Sequence, residues 1–186
     1  MAEAAHLETL YDAIRGLPEG VVGEIIDGQL YAHPRPAAIH AEVELRLGGN
    51  LKGLFDPGGN GPGGWRILAE PEVHFQRDHE ILVPDLAGWR RERLPKLPGD
   101  QRFEVVPDWV CEILSPSTAS RDREVKMPVY ARYGVAHAWL VDPRIRSVEA
   151  YAREGASWTH LATAAGDQPI ALPPFEAVPL SPPWES

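Results

Sequence analysis

Residues 108–118 read DWVCEILSPST, and this stretch decides the fold. Asp108 to Leu114 is a short apolar run rich in β-branched and aromatic residues, which predicts a strand. Successive side chains of a strand point to opposite faces. Trp109, Cys111 and Ile113 therefore share one face, and Val110, Glu112 and Leu114 share the other. Both faces are apolar, as in a central strand covered on both sides. Glu112 is the exception within that pattern. A carboxylate so placed is costly unless it is paired or binds a metal. A structural ion pair with an arginine is one reading. The other is a functional group, and it is favoured because Ser115-Pro116-Ser117-Thr118 offers cap residues for a helix beginning at the strand's end.

Working outward, residues 119–133 predict that helix, with Val125, Val129 and Tyr133 on one face. Pro128 should kink or shorten it, because proline lacks a backbone donor. Gly134 is a suitable stop. His137 to Val141 (HAWLV) reads as a second buried strand, followed by alternating strands near 147–153 and 157–163 and an irregular tail over 173–183. Upstream, Glu72 to Gln76 and Ile81 to Trp89 read as two strands of one hairpin, turning through RDHE at 77–80. Residues 37–54 place Ile39, Val43, Leu47, Leu51 and Leu54 at helical spacing. Before them, GEIID and GQLYA flank Asp27-Gly28, a pair that readily adopts the positive φ angles of a tight hairpin turn. A short helix is predicted over 3–15, with Leu7, Leu10 and Ile14 aligned. The glycine- and proline-rich stretches 56–64 and 94–99 read as loops. This order predicts a mixed α+β fold, an α/β arrangement with a mixed sheet flanked by helices and extra C-terminal strands.

The chemistry is expected at Glu112 and at Asp85. The latter sits in VPDLAGW (83–89), where Pro84 suits a bulge or an edge position. Two carboxylates on adjacent strands can share one hard divalent cation, Mg²⁺ or Mn²⁺, which takes a few carboxylates plus waters and phosphate oxygens. Such an ion polarises a phosphoryl group and activates a water. A lysine two residues after the glutamate would share its face, but Leu114 holds that position. Lys126 on the following helix is the substitute, either as a stabiliser of developing negative charge or as an ordinary solvated lysine. Arg123 lies three residues earlier, which predicts the same helical face. Glu24 is either a third acid at the metal or a surface residue beside the hairpin turn. His40, on the apolar helix, is either a structural histidine or a base. Tyr130, Trp139 and Cys111 read as core.

Composition sets limits. The 186 residues suit one domain, and 44% are hydrophobic. The single cysteine, Cys111, excludes an internal disulfide and a cysteine zinc cluster. No basic start followed by an apolar run suggests a signal peptide, and no stretch has the roughly 20 apolar residues of a membrane span. A cytoplasmic protein is the natural expectation. The net charge of −9 argues against general nucleic-acid binding, which rests on lysine and arginine neutralising phosphates. Two basic clusters stand against that balance: Arg90, Arg91 and Arg93, and Arg121, Arg123 and Lys126.

Taken in order, VPDLAGW, WVCEILSPST and DREVKMPVYARYGVAHAWLVDP resemble the Uma-two family of restriction-endonuclease-like bacterial proteins, within the PD-(D/E)XK nuclease superfamily. GEIIDGQLYAHP followed by His40 is similar to the family's N-terminal pattern. The likeness spans about residues 20–145. It implies an αβββαβ restriction-endonuclease-like core, the motif aspartate at Asp85, the motif glutamate at Glu112 and a displaced lysine at Lys126. Leu114 departs from the superfamily's E-x-K pattern and agrees with the family's E-x-L form. The expectation is a Mg²⁺-dependent endonuclease, a phosphodiester hydrolase acting on DNA as a homodimer, since twofold symmetry suits cutting two strands. The alternatives are a catalytically inactive nuclease fold used for binding or assembly, and a small-ligand protein using the same acidic pocket.

Overall fold

A computed structural model describes residues 9–34, 37–56 and 61–184. The start of the predicted 3–15 helix and residues 57–60 of the glycine-rich stretch lie outside them. Helix α1 (Leu10–Arg15) opens on a capping box, in which Thr9 accepts from the Asp12 amide and Asp12 accepts from the Thr9 amide. Strands β1 (Val21–Ile26) and β2 (Gln29–Pro34) form the expected hairpin, with Asp27 at φ 49° and Gly28 at φ 71°. These angles match the twist of the strands they join. Helix α2 (Ala38–Phe55) buries Val43, Leu47 and Leu51 as predicted, but leaves Ile39 65% exposed.

The remaining elements are β3 (Trp65–Ala69), β4 (Glu72–Gln76), β5 (Glu80–Leu82), β6 (Leu86–Arg90), β7 (Arg102–Phe103) and β8 (Trp109–Ile113). Helix α3 (Ala119–Arg121) runs through a π-helical segment (Asp122–Lys126) into α4 (Met127–Tyr133). Strands β9 (His137–Asp142), β10 (Ser147–Glu154) and β11 (Ser157–Ala165) complete the chain's regular structure. The strands form two mixed sheets, one ordered β2-β1-β5-β4-β7 and the other β11-β10-β9-β8-β6-β3. The β4/β7 and β8/β9 pairs are parallel and the others antiparallel.

Strand β8 occupies the interior of the six-stranded sheet, as the two-faced apolar pattern requires. Trp109, Cys111 and Ile113 pack with Val43, Leu47 and Leu51 of α2 and with Phe175 of the tail. Val110 and Leu114 pack on the other side with Val129 and Tyr130 of α4. Trp65, Trp109 and Trp139 surround Phe175 at ring-centroid distances of 4.8, 5.0 and 5.6 Å. Aromatic residues at these separations add to the area they bury. The C-terminal tail is irregular, yet Ile170, Leu172, Phe175 and Leu180 are buried in this core.

Two sequence expectations are corrected, and two strands are added. The predicted strand from Ile81 to Trp89 is two strands in different sheets, β5 and β6. The chain crosses between the sheets at Val83–Asp85, where Pro84 has no amide to donate. There the backbone groups find other partners: the Val83 amide donates to Glu24 Oε1 at 2.9 Å, and the Asp85 carbonyl accepts from Glu70 at 2.9 Å. Strands β3 and β7 lie in stretches to which the sequence assigns no element. Trp65–Ala69 gains its strand state by pairing with β6, a long-range contact that local patterning does not carry. Finally, Pro128 lies in the first turn of α4 instead of kinking a continuous helix, and the irregularity falls one turn earlier, in the π segment. Gly134 closes α4 in the left-handed region at φ 93°.

Candidate active site at the strand crossover

The crossover and the end of β8 meet at a cavity of about 330 Å³. Asp85, Glu112 and Lys126, remote in sequence, all line it. Asp85 is held from two directions. Its Oδ2 accepts the Ile113 amide at 2.5 Å and lies 3.2 Å from His40 Nε2. This bond to the neighbouring strand fixes the carboxylate beside the one that Glu112 carries.

Glu112 is 2% exposed. Its Oε1 is 2.8 Å from the Lys126 ammonium and accepts a hydrogen bond from the Tyr130 hydroxyl. Burial pushes its pKa well above the usual range. Lys126 opposes that shift, and the charges of Asp85, Asp122 and Glu24 add to it. Lys126 is itself buried, projecting from the π segment. Its ammonium contacts Glu112, Glu24 Oε1 at 3.0 Å and the Val83 carbonyl at 3.1 Å. Burial alone would lower its pKa, but Glu112 and Glu24 outweigh this and raise it, so the side chain carries its charge.

Glu24 is not a surface residue beside a turn, as one reading of the sequence allowed: it is fully buried. Burial would raise its pKa, but the charge of Lys126, the nearby His33 ring and the Val83 amide bring it down to about 2. His33 Nε2 lies 3.5 Å from Glu24 Oε2. His40 is buried and lines the cavity. Burial opposes its protonation, but the Asp85 carboxylate raises its pKa. Arg123 is corrected. The wider π turn does not leave it on the face of Lys126, and it pairs instead with Glu149 of β10 at 2.7 and 3.1 Å.

The structure adds residues that the sequence reading missed. Asp122 and Arg121 line the cavity, as do Ser115, Ser117 and Thr118. Asp122 is buried, which raises its pKa against the pull of Lys126. Tyr130, read as core, is core in position but polar in role. The basic clusters are largely absorbed. Arg90 lies over the Trp65 ring at 4.0 Å, Arg91 pairs with Asp56 and Arg93 with Asp108. Among the described residues, no three histidine, cysteine, aspartate or glutamate side chains form a preformed metal cage. No helix is long and apolar enough to cross a membrane.

Comparison with known proteins agrees with this architecture. A crystal structure described as a "putative nuclease belonging to DUF820" from Anabaena variabilis superposes with a TM-score of 0.71 at 23% identity. The match covers 93% of this chain and 94% of that one. At that identity the likeness establishes the fold. No curated protein matches the chain. Residues 7–181 match the family described as "Uma2: Putative restriction endonuclease". A match over nearly the whole described fold, with Asp85, Glu112 and Lys126 gathered at one cavity, places the chain as a member of the Uma2 restriction-endonuclease family.

Proposed function

We propose that the protein is a divalent-metal-dependent phosphodiester hydrolase that cuts DNA, with Asp85 and Glu112 as the metal-binding carboxylates and Lys126 as the assisting cation. The observation that carries this reading is the convergence of these three side chains on one cavity, with Lys126 at 2.8 Å from Glu112. The donor chemistry fits Mg²⁺ or Mn²⁺. Both take oxygen ligands, and Mg²⁺ commonly uses one or two carboxylates with waters and substrate phosphate completing its shell. Burial, with the carboxylates of Asp85 and Asp122 in the cavity and of Glu24 behind Lys126, pushes the pKa of Glu112 upward against the pull of Lys126. A bound cation there supplies Lewis-acid polarisation of the phosphate and a more acidic water.

The chain's own residues do the positioning. The Ile113 amide and His40 hold Asp85 at the cavity wall. Tyr130 holds a proton against Glu112 Oε1, and Lys126 fixes the same oxygen. Glu24 anchors Lys126 from behind. Preorganised groups of this kind favour a reaction because they need no rearrangement as charge develops. A twofold dimer would present two such cavities to the two strands of a duplex.

A second reading, an inactive nuclease fold that binds or assembles, draws on a specific observation. The Lys126 ammonium already has three acceptors, and Leu114 stands where the superfamily's lysine would be. One experiment separates the two. Plasmid DNA is incubated with wild type, Asp85→Ala and Glu112→Ala in Mg²⁺ or Mn²⁺. Metal-dependent nicking by wild type alone supports the hydrolase. No nicking by wild type with either ion transfers the case to the binding module.

A further inference from the structure

Arg121 differs from Lys126, the other arginine or lysine among the described cavity residues. It lines the same cavity as Asp85 and Glu112, but among the described residues its guanidinium makes no hydrogen bond and no ion pair. Its Nε is buried and without a partner. A buried donor left unpaired is costly and is usually satisfied by something that binds. Hydroxyls that line the same cavity are grouped: Ser115 Oγ lies 3.0 Å from both Ser117 Oγ and Thr118 Oγ1, on the loop that enters α3. Lys126 cannot meet an incoming anion without giving up Glu24, Glu112 or the Val83 carbonyl. Among the described arginines and lysines that line the cavity, the one free to do so is Arg121. Guanidinium presents a planar fork of donors that matches phosphate oxygens, and hydroxyls add donors beside it.

We propose that Arg121, with the Ser115 and Ser117 hydroxyls, forms a phosphate-binding subsite at the mouth of this cavity, taking a phosphate group of the nucleic-acid strand next to the one that reaches Asp85 and Glu112. The subsite rests on the nuclease reading for its substrate class, but its binding can be measured without cleavage.

The test is fluorescence anisotropy with a short labelled DNA duplex in EDTA, comparing wild type, Arg121→Gln, Arg121→Lys and Arg153→Gln. Arg153 lies on β10, where its guanidinium donates to the Gly155 carbonyl, and serves as a control for lost charge. Arg121→Gln should weaken binding about tenfold and reduce the slope of log affinity against log salt by about one. Arg121→Lys should recover part of the affinity, and Arg153→Gln should match wild type. Thermal melting confirms that each variant is folded. Duplexes with and without a 5′-phosphate separate the sources: equal affinity assigns an internal diester, and tighter binding of the phosphorylated end assigns a terminal group. Unchanged binding by Arg121→Gln, or an equal loss in Arg153→Gln, overturns the subsite. So does wild type that binds no duplex. Binding that depends on Arg121 in a protein that never nicks DNA leaves the subsite standing and removes the hydrolase.

Discussion

Lys126 and Glu112 meet at 2.8 Å although one lies in the π segment and the other on a central strand. The lysine is buried with Glu24 on its other side, so it closes a three-residue charge network inside the protein. Removing one partner of a buried pair leaves the others uncompensated, at a cost of about 3–5 kcal/mol. Lys126→Ala should therefore lose about that much in urea unfolding at neutral pH. Lys126→Met restores much of the volume but not the charge, and should remain well below wild type. A loss under ~1 kcal/mol in both would mean that the network is not formed.

Glu24 makes this network pH-dependent. Its pKa falls from 4.5 to about 2 on folding. A carboxylate with a lowered folded pKa stabilises the protein above its unfolded pKa, and that stabilisation is lost as pH falls through the folded value. The shift corresponds to about 3 kcal/mol, lost between roughly pH 4.5 and pH 2. Glu24→Gln should be less stable than wild type at neutral pH, and the gap should close on acidification over that window. Denaturant titrations at several pH values check this. A gap that stays constant from neutral to acid pH would count against it.

Tyr130 gives a cleaner probe of Glu112, because Tyr130→Phe keeps the ring. Its hydroxyl donates to Glu112 Oε1, and the ring itself is fully buried. Removing one donor from a buried carboxylate costs about 1–3 kcal/mol. The variant should fold, melt at a lower temperature and show reduced nicking activity. Melting at the wild-type temperature would mean the hydroxyl contributes nothing net.

The elements that sequence exposes are those whose periodicity is complete within one segment. Helix α2, the Asp27-Gly28 hairpin and β8 carry their own signals, and the two-faced burial of Trp109 to Leu114 follows from alternation. Residues whose role depends on closure of the chain are less visible. Glu24 stands in an apolar strand, yet only the approach of Lys126 makes its burial tolerable. Arg123 is three residues from Lys126, and a regular helix would turn it toward the cavity. The π segment redirects it to Glu149. Arg121 and Asp122 looked like one more charged run, and no spacing rule distinguishes the member that reaches the cavity. Val83–Asp85 carried a usable signal in Pro84, which marks an interruption, but not the sheet to which the chain crosses.

Gly88 tests the packing of the six-stranded sheet. A Cβ there would lie 3.0 Å from Ile67 Cδ1 and 3.2 Å from ring carbons of both Trp65 and Trp109. These neighbours belong to the tightly packed aromatic core, so they have little room to yield. Overpacking of this kind costs about 1–3 kcal/mol. Gly88→Ala should lower the melting temperature, with the accompanying change in tryptophan fluorescence reporting that Trp65 or Trp109 has moved.

Asp85 combines a structural and a proposed catalytic task, and two substitutions separate them. Its Oδ2 accepts the Ile113 amide at 2.5 Å. Asparagine retains a carbonyl acceptor at that position, whereas alanine leaves the amide in a part-buried site without a partner, at about 1–3 kcal/mol. Asp85→Asn should therefore be nearly as stable as wild type, and Asp85→Ala clearly less so. Metal binding needs the negative charge, so calorimetry with Mn²⁺ should show heat for wild type and none for either variant. If Asp85→Asn binds Mn²⁺ as wild type does, the carboxylate is a strut for the crossover and the metal reading of this residue fails.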